Sequence, residues 1–172
     1  MRRIHRLFNV PDDFERPQPH PVESKERFYQ GIVWGFKKIM QAQGLQFYVH
    51  GAENVPTDGG ALFVINHTGY YDFIIAGIGP HLRGNRLVRF MAKKEVFDNK
   101  ISGPLMRAMK HIAVERGNGA ASYRQAVDAL KAGEIVGIFP EGERGHDPRR
   151  MAPLRPGAFE LAVGAGVPVI PC

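Results

Sequence analysis

A chain of 172 residues, 44% hydrophobic and 23% charged, can close one ordinary α/β domain, is too short for two of full size and is not disordered throughout. Its single cysteine, Cys172, is the last residue, so no intrachain disulfide can form and the disulfide-stapled secreted classes drop out. Lys plus Arg number 23 against 17 Asp plus Glu, a net charge of +6 with a pI near 9.7, which favours an acidic partner such as nucleic acid, an anionic membrane or a phosphorylated small molecule.

Residues 1–23 are proline-rich and lack apolar periodicity, and they read as an arm that lies along the surface or is mobile. The start, Met1-Arg2-Arg3-Ile4-His5-Arg6, leads into proline and acids rather than an apolar signal core, and no apolar run approaches the ~18–20 residues of a membrane span. Neither an export signal nor a spanning helix is expected. Residues 24–44 carry a helical pattern, with Ser24 as N-cap and Gly44 as stop. Phe28, Ile32, Phe36, Ile39 and Met40 fall on one arc with Tyr29 and Val33 beside them, while Arg27, Trp34 and Lys38 fall on the other side. The apolar arc either packs on the domain or also dips into a membrane interface.

From residue 45 short apolar runs alternate with helical stretches. Strands are predicted at 45–50, 61–66, 87–92, 111–114, 135–139 and 167–170. Helices are predicted from about 71, at 104–109, at 120–132 and at 157–164. The predicted architecture is an α/β fold: a single layered domain over residues 45–172, with a mostly parallel or mixed sheet flanked by helices, preceded by residues 1–44 as arm and amphipathic helix. Ligands of such sheets sit where strands give way to loops. Between His81 and Arg116, nine cations face three anions, which reads as a solvated basic face or as a site for an anion.

Two strand ends hold unusual residues. Asn66-His67-Thr68-Gly69-Tyr70-Tyr71-Asp72 puts His67 at the mouth of the sheet and Asp72 in the next helical turn, with Gly69 expected to let the backbone bend back. The pair reads either as a base with its orienting acid or as a capping or core histidine. Phe139-Pro140-Glu141-Gly142-Glu143-Arg144-Gly145 places acids and an arginine among glycines after an apolar strand, suited to ligand contact or to a solvated loop with internal ion pairs. No serine lies in a nucleophile-elbow pattern. His67, His111, His146 and Asp147 lack metal-ligand spacing, so no metal is expected. His5, His20, His50 and His81 are expected to be surface or structural.

Taken in order, His67-x-x-x-x-Asp72, Arg116, Phe139-Pro140-Glu141-Gly142-x-Arg144 and Val167-Pro168-Val169-Ile170-Pro171 resemble the four sequence blocks of the glycerolipid acyltransferases of the PlsC type, over about residues 45–172. Ala92-Lys93-Lys94-Glu95 is similar to a segment often found between the first two blocks. The resemblance implies transfer of a fatty acyl group from acyl-CoA or acyl-carrier protein to the free hydroxyl of a lysophosphatidic acid. It implies His67 as general base, Asp72 as its partner, Lys93 or Lys94, Arg116 and Arg144 on the acceptor phosphate, and Glu141 and Gly142 lining the acceptor pocket. No cofactor is implied beyond the thioester co-substrate. The implied partners are a lysophospholipid acceptor, the acyl thioester and a membrane surface contacted peripherally at the cytoplasmic face of the plasma membrane. Nucleic acid is not expected, since no stacking platform or groove-reading motif is present. Glu143 and Gly145 replace the usual Thr and Ser of the third block, which bears on acceptor identity. Glu115 stands where Asp or Asn is usual in the second block. The alternatives are another acceptor (a glycolipid, glycerol 3-phosphate or an amino-acid lipid) or a non-catalytic binder of anionic lipid. The chain ends where relatives continue, so a truncated product is a further expectation.

Overall fold

The structure, a computed structural model, describes residues 1–69, 71–142 and 153–172. These form two compact units: Met1–Thr57 with Gly79–Leu87, and Asp58–Ile78 with Val88–Cys172. The sequence reading drew its boundary after residue 44 and placed nothing downstream of it with the N-terminal part.

In the N-terminal unit the expected arm is folded. β1 (Arg2–Ile4) and β2 (Phe8–Val10) pair antiparallel, and β3 (Phe47–Tyr48) runs parallel to β2. Leu7, Phe8, Val10 and Phe14 are all buried. So short a cluster shows no helical or strand period, which is why it reads as arm. The strand predicted at 45–50 shrinks to two residues and joins this small sheet rather than the larger one. α1 (Arg27–Ala42) begins three residues after Ser24, which lies in a 3₁₀ turn, Glu23–Lys25. Glu23 is buried there, taking Arg86 Nη2 at 2.8 Å and the Leu87 N–H at 2.6 Å. Within the expected apolar arc of α1 only Tyr29 is buried; Phe28, Phe36 and Ile39 are exposed, as is Trp34, over whose ring Lys38 Nζ lies at 5.7 Å.

The second unit holds β4 (Ala61–Val64), α2 (Asp72–Ala76), β5 (Val88–Lys93), α4 (Lys94–Asp98), α5 (Ser102–Ala108), β6 (Ile112–Val114), α6 (Ala120–Lys131), β7 (Ile135–Ile138), α7 (Gly157–Ala165) and β8 (Val169–Pro171). Helix α3 (Ile78–Leu82) lies where the chain returns to the N-terminal unit. The strands form one sheet in the order β6-β5-β7-β4-β8, every pair parallel. Ala61, Leu62, Phe63, Ile135, Val136 and Gly137 are buried, as expected of strands covered on both faces. Leu62, Ile112 and Val136 pack with Ala126 and Leu130 of α6 and Leu161 and Ala162 of α7 to form the core. This is the α/β fold, a parallel sheet flanked by helices, that the alternation predicted. Among the described residues no helix is long and apolar enough to cross a membrane.

Parallel pairing puts every strand's C-terminal end on one edge. Val64 of β4 lies in register with Ile138 of β7, and Lys93 of β5 with Val114 of β6. The segments after β6, β5, β7 and β4, all singled out in the sequence, therefore emerge side by side, and this edge carries the site.

Candidate active site

The imidazole of His67 and the carboxylate of Asp72 meet: Nδ1 lies 2.9 Å from Asp72 Oδ2. The same oxygen accepts the N–H groups of Thr68 at 2.7 Å and Gly69 at 2.8 Å, so the carboxylate draws the turn closed around itself. Gly69 is therefore not needed as a hinge. It does not adopt a positive φ, and a side-chain Cβ there would make ordinary contact with Asp72 Oδ1 at 3.5 Å. Burial works to raise the Asp72 carboxyl. The hydrogen bonds from Gly69, the His67 ring and Thr68 outweigh it and hold the group below its ordinary value. An ionised Asp72 only accepts, which assigns the ring proton to Nδ1 and leaves Nε2 with its lone pair. The pair is half-sheltered, with side-chain exposures of 28% for His67 and 13% for Asp72.

Two further contacts fix His67. Its backbone N–H donates to Glu141 Oε1 at 2.7 Å, tying the loop after β4 to the loop after β7; Glu141 is 5% exposed. Its ring packs on Phe139, with centroids 4.4 Å apart, and Phe139 stacks on Phe90 of β5 at 6.3 Å. Gly137 makes room for that stack, since a Cβ at this position would lie 2.8 Å from both Phe90 Cδ1 and Val88 Cγ1. Phe139 and Glu141 of the third block thus both contact His67, although 74 positions separate Glu141 from it.

The cations are more dispersed. Lys93 ends β5, Lys94 begins α4 and pairs with Asp98 at 3.4 Å, and Arg116 follows β6 by two residues; all three are exposed. With strands ~4.8 Å apart, β5 lies about 10 Å and β6 about 14 Å from the strand that carries His67. Lys100, Arg107 and Lys110 are exposed as well, whereas other members of the basic stretch are drawn into the fold. Arg86 and Arg89 are buried on Glu23 and Glu134 and Arg83 donates to the Val55 carbonyl, while the exposed Arg107 donates to that of Phe97. His20 and His81 are buried as well. Arg144, His146 and Asp147 lie outside the described residues. Among the described residues no group of three or more His, Cys, Asp or Glu is placed to hold a metal ion.

Comparison with known proteins follows the same residues. The acyltransferase family model matches residues 46–172, the span that carries the sheet, the His67–Asp72 turn and the Glu141 loop. The chain belongs to the acyltransferase family. It is 36% identical over 146 residues to the 1-acyl-sn-glycerol-3-phosphate acyltransferase of Bacillus subtilis, covering 83% of this chain and 69% of that protein. A chloroplastic 1-acyl-sn-glycerol-3-phosphate acyltransferase of Arabidopsis thaliana is 30% identical over 152 residues, 86% of this chain but 41% of the relative. Among solved structures, the 1-acyl-sn-glycerophosphate acyltransferase PlsC of Thermotoga maritima superposes with a TM-score of 0.55 at 30% identity, covering 71% of this chain and 47% of that one. Against several of these acyltransferases the chain spans less than half of the relative's length.

Two features of the second unit escaped the sequence reading. The Arg155 side chain lies against Gly142, where a Cβ would approach its Nε to 2.7 Å, and its N–H donates to the Pro140 carbonyl at 2.9 Å, so the loop leaving β7 returns to its own start. Gly142 has φ 73°, which with that close approach requires glycine. The only signal for Arg155 was a cation just ahead of α7. The second feature is an open groove of about 470 Å³ lined by Met91, Ile138, Tyr123, Leu161, Gly119 and others. Its walls come from four separate elements, so no local pattern announces it.

Proposed function

We propose that this acyltransferase acylates lysophosphatidic acid, giving phosphatidic acid, with an acyl thioester of CoA or carrier protein as donor. The observation that carries the reading is the His67 ring, held by Asp72 through Nδ1 with Nε2 left to accept a proton. His67 Nε2 takes the proton of the acceptor hydroxyl as its oxygen attacks the thioester carbonyl. The C–S bond breaks, the acyl–oxygen bond remains, and the imidazolium returns its proton to the departing thiolate. Asp72 stabilises the imidazolium between those events. No acyl-enzyme is invoked, and the donor meets the acceptor alcohol directly.

Glu141 acts on the backbone of His67, keeping the ring at the sheet edge, while Gly142 admits Arg155 beside it. Lys93, Lys94 and Arg116 supply the phosphate of the acceptor with cations along the same edge, and Arg144 is assigned to that phosphate from its place in the third sequence block alone. Tyr71, Phe73 and Ile75, exposed on either side of Asp72 and along α2, give apolar surface for the lipid part of the acceptor, and the groove between α6 and α7 takes an acyl chain. In this reading the protein sits peripherally on the cytoplasmic face of the membrane, with α1 contacting the interface. Exposed Phe28, Trp34 and Ile39 with neighbouring Lys38 support that placement.

The test is thiol release from acyl-CoA and acyl-carrier protein, crossed with lysophosphatidic acid, glycerol 3-phosphate and a phosphate-free lyso-lipid. Turnover with lysophosphatidic acid, lost in His67→Ala, is expected. Equal turnover with the phosphate-free acceptor would overturn the assignment of substrate, and undiminished turnover in His67→Ala would overturn the mechanism.

A further inference from the structure

Four basic side chains of the N-terminal unit converge with no acid among them. His5 and Arg6 turn the β1–β2 hairpin at φ 53° and 58°, a left-handed backbone that side-chain-bearing residues rarely adopt. Arg16 Nη1 lies 2.8 Å from His5 Nε2, and its Nη2 donates at 3.2 Å to Asn85 Oδ1, another residue of positive φ at 57°. On α1, Gln41 donates to the His5 carbonyl at 2.6 Å and Lys37 Nζ lies 3.2 Å from His81 Nε2. Lys37 and Gln41 are four residues apart on one helix face, so the contacts to His81 and to His5 leave α1 on the same side.

Among the described residues no carboxylate pairs with His5, Arg16, Lys37 or His81. Since the Lys37 ammonium donates to Nε2, the ring proton of His81 sits on Nδ1, and that buried N–H has no partner among them. Burial and the charges of Lys37, Arg16 and His5 hold His81 down to about 3, and burial with Arg16 and Lys38 lowers Lys37 as well. Arg16 and Lys37 stand beside two imidazoles that burial and those cations hold toward the neutral form, and a multiply charged anion accepting from several of these donors offsets the positive field. Arg16 and His5 are exposed, Lys37 is half-buried and His81 is buried, so the cluster is graded from solvent inward.

We propose that His5, Arg16, Lys37 and His81 form a binding site for a phosphate-bearing anion, built from residues outside the unit that carries the acyl-transfer site. The guanidinium fork, the ammonium and the imidazole suit the several acceptor oxygens of a phosphate better than a single carboxylate. A phospholipid headgroup and a soluble phosphate share that chemistry.

The experiment follows the histidine-ring resonances of the intact chain as inorganic phosphate is added at constant pH and ionic strength. The signals of His5 and His81 should move saturably, and do so equally in His67→Ala, which separates this site from the catalytic one. Arg16→Gln and Lys37→Gln should each weaken that response about tenfold, the loss expected for one charge-assisted contact. Vesicles of phosphatidylglycerol in phosphatidylcholine, against phosphatidylcholine alone, give the second arm. Phosphate that displaces the chain from the anionic vesicles supports the site with a lipid headgroup as ligand; saturable phosphate binding without displacement supports it with a soluble ligand. Phosphate that leaves His5 and His81 unmoved, or moves them identically in both variants, overturns it.

Discussion

Two histidines, one in each unit, sit in opposite company. In the sheet unit His67 has a carboxylate on Nδ1; in the N-terminal unit His81 has an ammonium on Nε2, with Arg16 and His5 adding to the positive field. The same side chain becomes a candidate base in one place and a neutral acceptor in the other. The geometry of the neighbour sets the difference in role: an acid on Nδ1 leaves Nε2 free, whereas a cation on Nε2 consumes that lone pair, and at His81 burial, with the charges of Lys37 and Arg16 behind it, holds the ring neutral.

The strongest way to break this contrast is to remove each ring in turn. His67→Ala should lower turnover ~100- to 10,000-fold, the usual contribution of a general base, with the circular dichroism of the native chain retained. His81→Gln should leave turnover within a few-fold. Equal losses from the two would show that the neighbour's geometry had been misjudged as the deciding factor.

Asp72→Asn tests the acid rather than the ring. The amide can still meet Nδ1, but it neither carries the charge that stabilises an imidazolium nor enforces the tautomer, so kcat should fall ~100-fold or more with KM little changed. A KM effect alone would make Asp72 a binding group. Farther along the edge, Arg116→Gln should raise the KM for a phosphate-bearing acceptor about tenfold, the loss expected of one charge-assisted contact, and leave kcat near wild type.

How far the chain could be read without its structure follows from the sequence distance of each contact. The β4 and β7 strands are unbroken apolar runs, and His67 and Asp72 are five residues apart, so both were legible locally. The N-terminal unit was not. Its core rests on small clusters such as Leu7 and Phe8, and on Glu23 reaching Arg86 across 63 positions. Glu141 was recognised as unusual, yet its bond to the His67 backbone could not be read from either segment. Gly69 shows a correct turn with a wrong cause: acceptance by Asp72, not glycine freedom, closes it. Arg86 and Arg89 show the limit of counting charge, since both are spent inside the molecule.

Acid should expose the same contrast as stability. His81, pushed to about 3, and His111, pushed to about 4 by burial and Arg89 while its Nδ1 accepts the Phe90 N–H, both stay neutral in the fold but ionise near 6.5 once unfolded. Between those values the unfolded chain binds more protons, so stability is full above about 6.5 and declines as pH falls toward 3 to 4. Asp72, held below its ordinary value of 3.8, adds stability that is present above that value and lost only as pH falls beneath it. Chemical denaturation from pH 7.5 to 4.5 should therefore show a slope, reduced in His81→Gln and unaltered in Asp72→Asn. An unchanged slope in His81→Gln would remove His81 from the account.

The smallest effect sharpens what holds His67 from behind. Gly137→Ala puts a methyl where Phe90 and Val88 already stand 2.8 Å away, and the Phe90 ring is the part able to give. Because Phe90 stacks on Phe139 and Phe139 packs on His67, the displacement should reach the His67 ring and cost a few-fold in kcat. Phe90→Leu in the same chain relieves the crowding and should recover part of that loss if steric pressure is its origin. A Gly137→Ala enzyme with full kcat would mean that the Asp72 and Glu141 contacts alone fix the imidazole, leaving the aromatic stack to serve packing only.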